Sequence, residues 1–363
     1  MRLSQWMTVG VLVTWCIYIL SYFMTSTNVD IQRAAELKLR AKSVRLKKLP
    51  PVGDPAPLGF IVMGDFGIGS SVQTQVASSL ADFVDNSTPR ASFVVSTGDQ
   101  IYDHGMLSAD DSIVIAKFEN IYRHPALKIP WYITIGNHDC EGSIDAMLSY
   151  AKRTNNVWKF PQRYYSFDQR VDNSTIVRFL VLDACDLVCG QPPHERDFRC
   201  TPTMNEQTSP LSRKQQYDWI ERTLALPAPK SLANPSQLSR MWTVVVGHWA
   251  VYSYAGNGDT PELITHLRPL LEKYNVHAYF NGHDHALEHI RRDNIQFFTS
   301  GAGGYALHDL RPLARANADL VHVDMAHGFM YVQVSHDIFR VQFVDGKTTD
   351  ILYTTEITFV SNR

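Results

Sequence analysis

The chain has 363 residues, 45% of them hydrophobic and 19% charged, with a formal net charge of −2. This is ordinary globular composition, enough for one large α/β domain or two smaller ones. The near-neutral balance leaves no basis for a nucleic-acid surface or a strongly basic membrane patch.

The first segment stands apart. Trp6 to Met24 carries no charged residue, and a helix needs about 20 apolar residues to cross a bilayer. Residues 1–29 therefore read as an N-terminal apolar helix, either an uncleaved signal-anchor or a cleaved signal peptide. No clear small-x-small cleavage site appears in Ser21-Tyr-Phe-Met-Thr-Ser-Thr27. Arg33, Lys38, Arg40 and Lys42 follow the segment, which by the positive-inside tendency would leave the rest in the cytosol. The sequons Asn86-Ser-Thr and Asn173-Ser-Thr matter only to a glycoprotein in a secretory lumen. The expectation is a luminal or extracellular domain, membrane-anchored through that helix, or alternatively secreted or lysosome-like.

Residues 30–57 read as a stalk and linker, rich in Ala, Leu, Lys and Arg and then broken by Pro50, Pro51, Pro55 and Pro57. The main domain spans 58–363. Its apolar runs predict strands at 59–63, 92–96, 131–135, 242–246 and 276–280, and three consecutive late strands at 329–334, 338–344 and 351–359. Helical patterns cover 71–84, 113–122, 212–226 and 261–274, so the class is α/β. The stretches 191–210 and 227–239 read as loops. Five cysteines are present. With no CxxC pair, thiolate zinc is not expected. Cys189 or Cys185 with Cys200 would close a small loop in an oxidising compartment; otherwise the thiols are buried.

Each of the five early strands ends in a polar cluster: Gly64-Asp-Phe-Gly67, Gly98-Asp-Gln-Ile-Tyr102, Gly136-Asn-His-Asp139, Gly247-His248 and Asn281-Gly-His-Asp-His285. Singly these are turns or core histidines. Together they present Asp65, Asp99, Tyr102, Asn137, His248, His283 and His285 beyond the carboxyl ends of strands, where open sheets bind ligands. Mixed oxygen and imidazole donors suit iron, zinc or manganese better than calcium. Seven donors suit two ions sharing a carboxylate.

In order, these clusters match GDxG, GDxxY, GNH(D/E), VxxH and GHxH, and from about Leu58 onward the chain resembles the purple acid phosphatases of the calcineurin-like metallophosphoesterase superfamily. The likeness is to their small, tartrate-resistant acid phosphatase type. It implies a two-sheet β-sandwich flanked by helices. It also implies an acid phosphatase that hydrolyses small-molecule or protein phosphomonoesters with metal-bound hydroxide as nucleophile. Asp65, Tyr102 and His285 would hold Fe(III). Asn137, His248 and His283 would hold a divalent ion (Fe, Zn or Mn), with Asp99 bridging. His138 would contact the phosphate and protonate the leaving group. Asp139 would orient an imidazole, or simply make a turn or salt bridge.

The chain departs from the family pattern in places. Asn257 stands where relatives carry a second active-site histidine; its amide can hydrogen-bond phosphate but cannot act as an acid. Cys189 matches a family disulfide cysteine whose partner position falls near Glu262. Phe66 replaces a frequent tryptophan, and 191–210 corresponds to an exposed loop near the site. The competing readings are a phosphodiesterase or nucleotide pyrophosphatase on the same site, and a membrane-tethered, non-catalytic scaffold.

Overall fold

A computed structural model describes residues 58–190, 200–312 and 318–359, all within the compact unit Pro55–Arg363. The first sheet is built from β1 (Leu58–Met63), β2 (Ala91–Ser96), β3 (Trp131–Tyr132), β4 (Trp158–Lys159), β12 (Gly328–Val334), β13 (Ile338–Asp345) and β14 (Ile351–Thr358). The second holds β5 (Tyr165–Arg170), β6 (Thr175–Val181), β7 (Arg240–Val246), β8 (Ala278–Asn281), β9 (Leu287–Arg292), β10 (Ile295–Ser300) and β11 (Leu320–Asp324). Their orders are β14-β13-β12-β1-β2-β3-β4 and β11-β9-β10-β8-β7-β6-β5. Both are mixed: β1 to β4 run parallel, as do β6, β7, β8 and β10, while the remaining pairs are antiparallel.

The inner faces meet through aromatic rings. Phe60 and Phe93 of the first sheet pack edge-on against Phe179 of the second at 5.3 and 5.8 Å. Trp242 meets Phe339 at 5.6 Å. This is the expected sandwich. Helices cover the outside. Ser71–Asn86 begins with the Ser70 side chain capping Gln73 N and buries Val76, Leu80 and Val84, a stripe of period four.

Several expectations need correction. The third early strand is only Trp131–Tyr132, because side chains take over its ladder. Tyr165 Oη donates to Ile133 O at 3.1 Å and Gln100 Nε2 to Thr134 O at 3.1 Å. The helix expected over 113–122 is Ser112–Val114 followed by one wider turn, Ile115–Glu119. The loop expected over 191–210 contains the helix Pro202–Glu206, capped by Thr201; residues 191–199 lie outside the described residues. Strands β4, β5, β6, β9, β10 and β11 have no counterpart in the sequence reading. In β6 a central Arg178 masks the apolar run, and it pairs with Asp168 of β5 through two bonds of 2.9 and 3.0 Å.

The cysteine expectation is half right. Cys189 bonds Cys200, but Cys185 bonds Cys140 rather than Cys200. Cys140 comes within reach because Cys185 Sγ lies 3.4 Å from Gly136 O, at the start of the short helix Asn137–Glu141, a proximity that spacing does not show. No helix among the described residues is long and apolar enough to cross a membrane; the apolar run of residues 6–24 and the stalk lie outside them.

Beneath the first polar cluster sits an aromatic nest. Phe66 is fully buried against Tyr122 and Trp131 at 5.4 and 5.8 Å, and Phe118 stacks edge-on against Trp131 at 5.1 Å. Phenylalanine thus fills the position well. Trp131→Ala is expected to destabilise the protein by about 3–5 kcal/mol, read as a lowered denaturation midpoint at unchanged slope. A loss below about 1 kcal/mol would show that the nest is not part of the cooperative core.

Candidate metal centre

The five parallel strands β1, β2, β3, β7 and β8 deliver their carboxyl ends to one edge of the sandwich, and all seven predicted donors converge there. Three of them sit in the left-handed region: Asp65 at φ 58°, Asp99 at φ 55° and His283 at φ 66°. For residues other than glycine this conformation is uncommon and strained, and it clusters at functional sites. Neighbouring glycines make room. A Cβ on Gly136 would lie 2.1 Å from Asp99 Oδ1, and one on Gly282 would lie 2.1 Å from Asp65 Oδ2.

The donors divide into two groups. His248 Nε2 and His283 Nδ1 both approach Asn137 Oδ1, at 2.9 and 3.0 Å. Tyr102 Oη lies 3.3 Å from both Asp65 Oδ1 and His285 Nε2. Asp99 touches the first group through His248 Nε2 at 3.5 Å, and its carboxylate also lies with Asp65 and His248 in one tight cluster. Two of the histidines are held in one tautomer by backbone. His248 Nδ1 donates to Thr97 O and His285 Nδ1 to Ala306 O, each at 2.7 Å. Their Nε2 atoms are left for the centre, the usual support of a ligating imidazole.

Asp65 and Asp99 are 0% and 1% exposed. Among the described residues neither is ion-paired with a lysine or arginine; their charged neighbours are histidines. Burial, reinforced by Asp99, pushes the Asp65 carboxyl well above its ordinary value. Burial and both carboxylates likewise push up the Tyr102 phenol, and burial pushes down the His285 imidazole. A bound cation would reverse the penalty for the carboxylates and the phenol and would favour neutral imidazole. The donor set therefore fits a metal pair. The other cluster of this kind among the described residues, Cys140, Asp183 and Cys185, is not such a site, since its cysteines form a disulfide.

Asp139 does something other than orient an imidazole. Its carboxylate accepts the backbone N–H groups of Asp99 at 2.9 Å, Gly136 at 2.9 Å and Gln100 at 3.1 Å. It clamps the second and third clusters together, since three converging N–H groups are better partners for a buried carboxylate than one ring. His138 lies over the Tyr102 ring at 4.4 Å. Its backbone N–H donates to Asp99 Oδ1 at 3.0 Å, and its Nδ1 to Asp103 O. Asn257 commits one of its two amide N–H donors to His283 O at 2.8 Å and its backbone N–H to Asp284 Oδ1 at 2.6 Å.

A pocket of about 270 Å³ opens on Asp99, Asn137, His283 and His285. Its remaining walls are His138, Glu141, Asn257, Tyr305 and His308. Glu141, Tyr305 and His308 were not foreseen. The last two lie in the turn after β10, where no motif or spacing marks them.

A protein-family model described as calcineurin-like phosphoesterase matches residues 58–287. The chain belongs to that family. Purple acid phosphatase 17 of Arabidopsis thaliana is 31% identical over 338 residues, covering 91% of this chain and 88% of the relative. This places the chain among the purple acid phosphatases. Tartrate-resistant acid phosphatase type 5 of Rattus norvegicus is 28% identical, with 82% and 89% covered. Among solved structures, GAP50, the anchor in the inner membrane complex of Plasmodium, superposes with a TM-score of 0.68 at 21% identity, covering 84% of this chain and 90% of that one. That likeness shows the shared phosphoesterase fold.

Two outcomes follow from these contacts. Asp139→Asn replaces one acceptor oxygen by a donor facing backbone N–H groups, and is expected to weaken metal retention about 10–100-fold in metal analysis after dialysis against a chelator. Unchanged metal content would refute the clamp. Glu288 of β9 is buried, accepts Tyr254 N at 2.9 Å, and is pushed by burial from 4.5 to about 8. Because its folded value is raised, its contribution is full below pH 4.5 and is lost as pH rises towards about 8. Glu288→Gln should flatten that decline in stability–pH curves; an unaltered slope would show that another group causes it.

Proposed function

We propose that this protein is an acid phosphatase that hydrolyses phosphomonoesters at a binuclear metal centre. The observation that carries the reading is the division of seven donors, six of them buried and Asn137 half-buried, into two groups around Asp99, beside a pocket walled by imidazoles. The scaffold alternative is not favoured because every donor of the family pattern is present, and the phosphodiesterase alternative because the curated relatives are acid phosphatases.

In this reading Asn137, His248 and His283 would hold one ion and Asp65, Tyr102 and His285 the other, with Asp99 available to both. Such a pair supplies positive charge for the phosphoryl group and an acidified water as nucleophile. We assign Fe(III) to the tyrosine site. A phenol whose pKa burial raises stays ionised only against a strong Lewis acid. The second ion is divalent iron, zinc or manganese, all compatible with amide and imidazole donors. His138, with Nδ1 committed to Asp103 O, keeps Nε2 to hold the phosphate and pass a proton to the leaving alkoxide.

The two disulfides point to a secretory-pathway or extracellular protein. Asn86 and Asn173 are both exposed, which supports N-glycosylation there. We further propose that 1–29 anchors the chain to a membrane through the stalk 30–57, with 58–363 as the luminal or extracellular catalytic domain.

The decisive experiment is a visible absorption spectrum of the purified protein with metal analysis and p-nitrophenyl phosphate turnover at acid pH. About two metals per chain, a broad charge-transfer band and its loss in Tyr102→Phe are expected. A colourless, active protein holding two zinc or manganese ions would overturn the ferric assignment and keep the phosphatase. A metal-free, inactive protein would overturn both.

A further inference from the structure

The pocket wall is a continuous run of rings. His138 lies 4.4 Å from Tyr102, Tyr102 4.4 Å from Tyr305, Tyr305 5.1 Å from His285, and His285 4.0 Å from His308. Three are the donors and cover of the tyrosine-side metal site. The two ends, His138 and His308, are imidazoles that line the pocket without belonging to either donor group.

His308 is held in place on several sides. Its ring stacks on His285 with an interplanar angle of 21°. Its backbone N–H donates to His285 O at 3.1 Å. Its Nδ1 lies 3.2 Å from both His285 N and Asp284 Oδ1, the oxygen that also takes Asn257 N. The segment is tied to the 254–258 turn by Arg311 N to Tyr254 O at 2.8 Å and by the bridge between Ala255 and Leu310. Gly256 is required there, because a Cβ would come within 2.8 Å of the His308 ring. With Nδ1 engaged, Nε2 has no hydrogen-bond partner among the described residues. It belongs to a side chain 27% exposed on a pocket wall. So much fixation of a ring that neither ligates nor fills the core is expected of a group that meets a ligand.

We infer that His308 is a second substrate-contacting residue of this pocket, its Nε2 hydrogen-bonding a phosphoryl oxygen at the other end of the ring wall from His138. The inference rests on the phosphatase reading. It adds an imidazole on the side of the pocket where Asn257 has one of its two amide N–H donors committed to His283 O.

The test uses the full-length, metal-loaded protein, inorganic phosphate as probe in titration calorimetry, and p-nitrophenyl phosphate for steady-state kinetics. His308→Phe keeps the ring stacked on His285 and removes the nitrogen. It should weaken phosphate binding and raise KM about tenfold, with metal content and visible band as in wild type. Gly256→Ala, which displaces the ring without removing it, should shift both quantities in the same direction. Wild-type phosphate affinity and KM in His308→Phe would overturn the inference. So would loss of metal in step with phosphate binding, since His308 would then act only through His285. If wild-type protein itself neither binds nor hydrolyses phosphate, the phosphatase reading fails. If it does both while His308→Phe matches it, only the inference fails.

Discussion

Two carboxylates, Asp65 and Asp99, are buried side by side without a lysine or arginine partner among the described residues, and the rest of the site is arranged around that repulsion. Like charges in a dry setting oppose joint ionisation. Holding them there needs inward-facing donors and, finally, a cation. The left-handed backbone at both residues, the close glycines and the Asp139 clamp are the means by which the fold keeps them together. Each is locally unfavourable or demanding, and a bound metal pair is what makes the set favourable as a whole.

That constraint explains how the sandwich is used. Its central strands run parallel where they carry donors, so that turns from both sheets open on one edge. The antiparallel strands β12 to β14, and β9 and β11 beside the parallel β10, complete the sheets around them. The aromatic nest of Phe66, Phe118, Tyr122 and Trp131 supports the first loop from below. The disulfide from Cys140 to Cys185 ties down the helix that begins with Asn137. Rigid support of this kind lets a shallow pocket of small volume hold its side chains in fixed directions.

The same fold carries different roles elsewhere, as the likeness to GAP50 illustrates, so activity has to be argued from the site. Here the seven residues read as donors converge on one edge of the sandwich. Further residues build the wall around the donors. Asn257 braces the His283 loop, and Tyr305 and His308 cover the tyrosine-side donors.

The donor set, the early strands and the α/β class were legible in the sequence because each depends on residues close together. An apolar run makes a strand, a glycine beside an acid makes a tight turn, and five such pairs in order leave little chemical choice. The strand β9 was hidden because the buried polar groups Glu288 and His289 interrupt its pattern, and β6 because Arg178 does. Only tertiary structure decided the pairing of Cys140 with Cys185, the role of Asp139 and the place of His308 in the pocket. Each of these is a contact between segments far apart in the chain. Whether a side chain meets a metal, a backbone or a substrate depends on what folding brings to face it, and no local spacing records that.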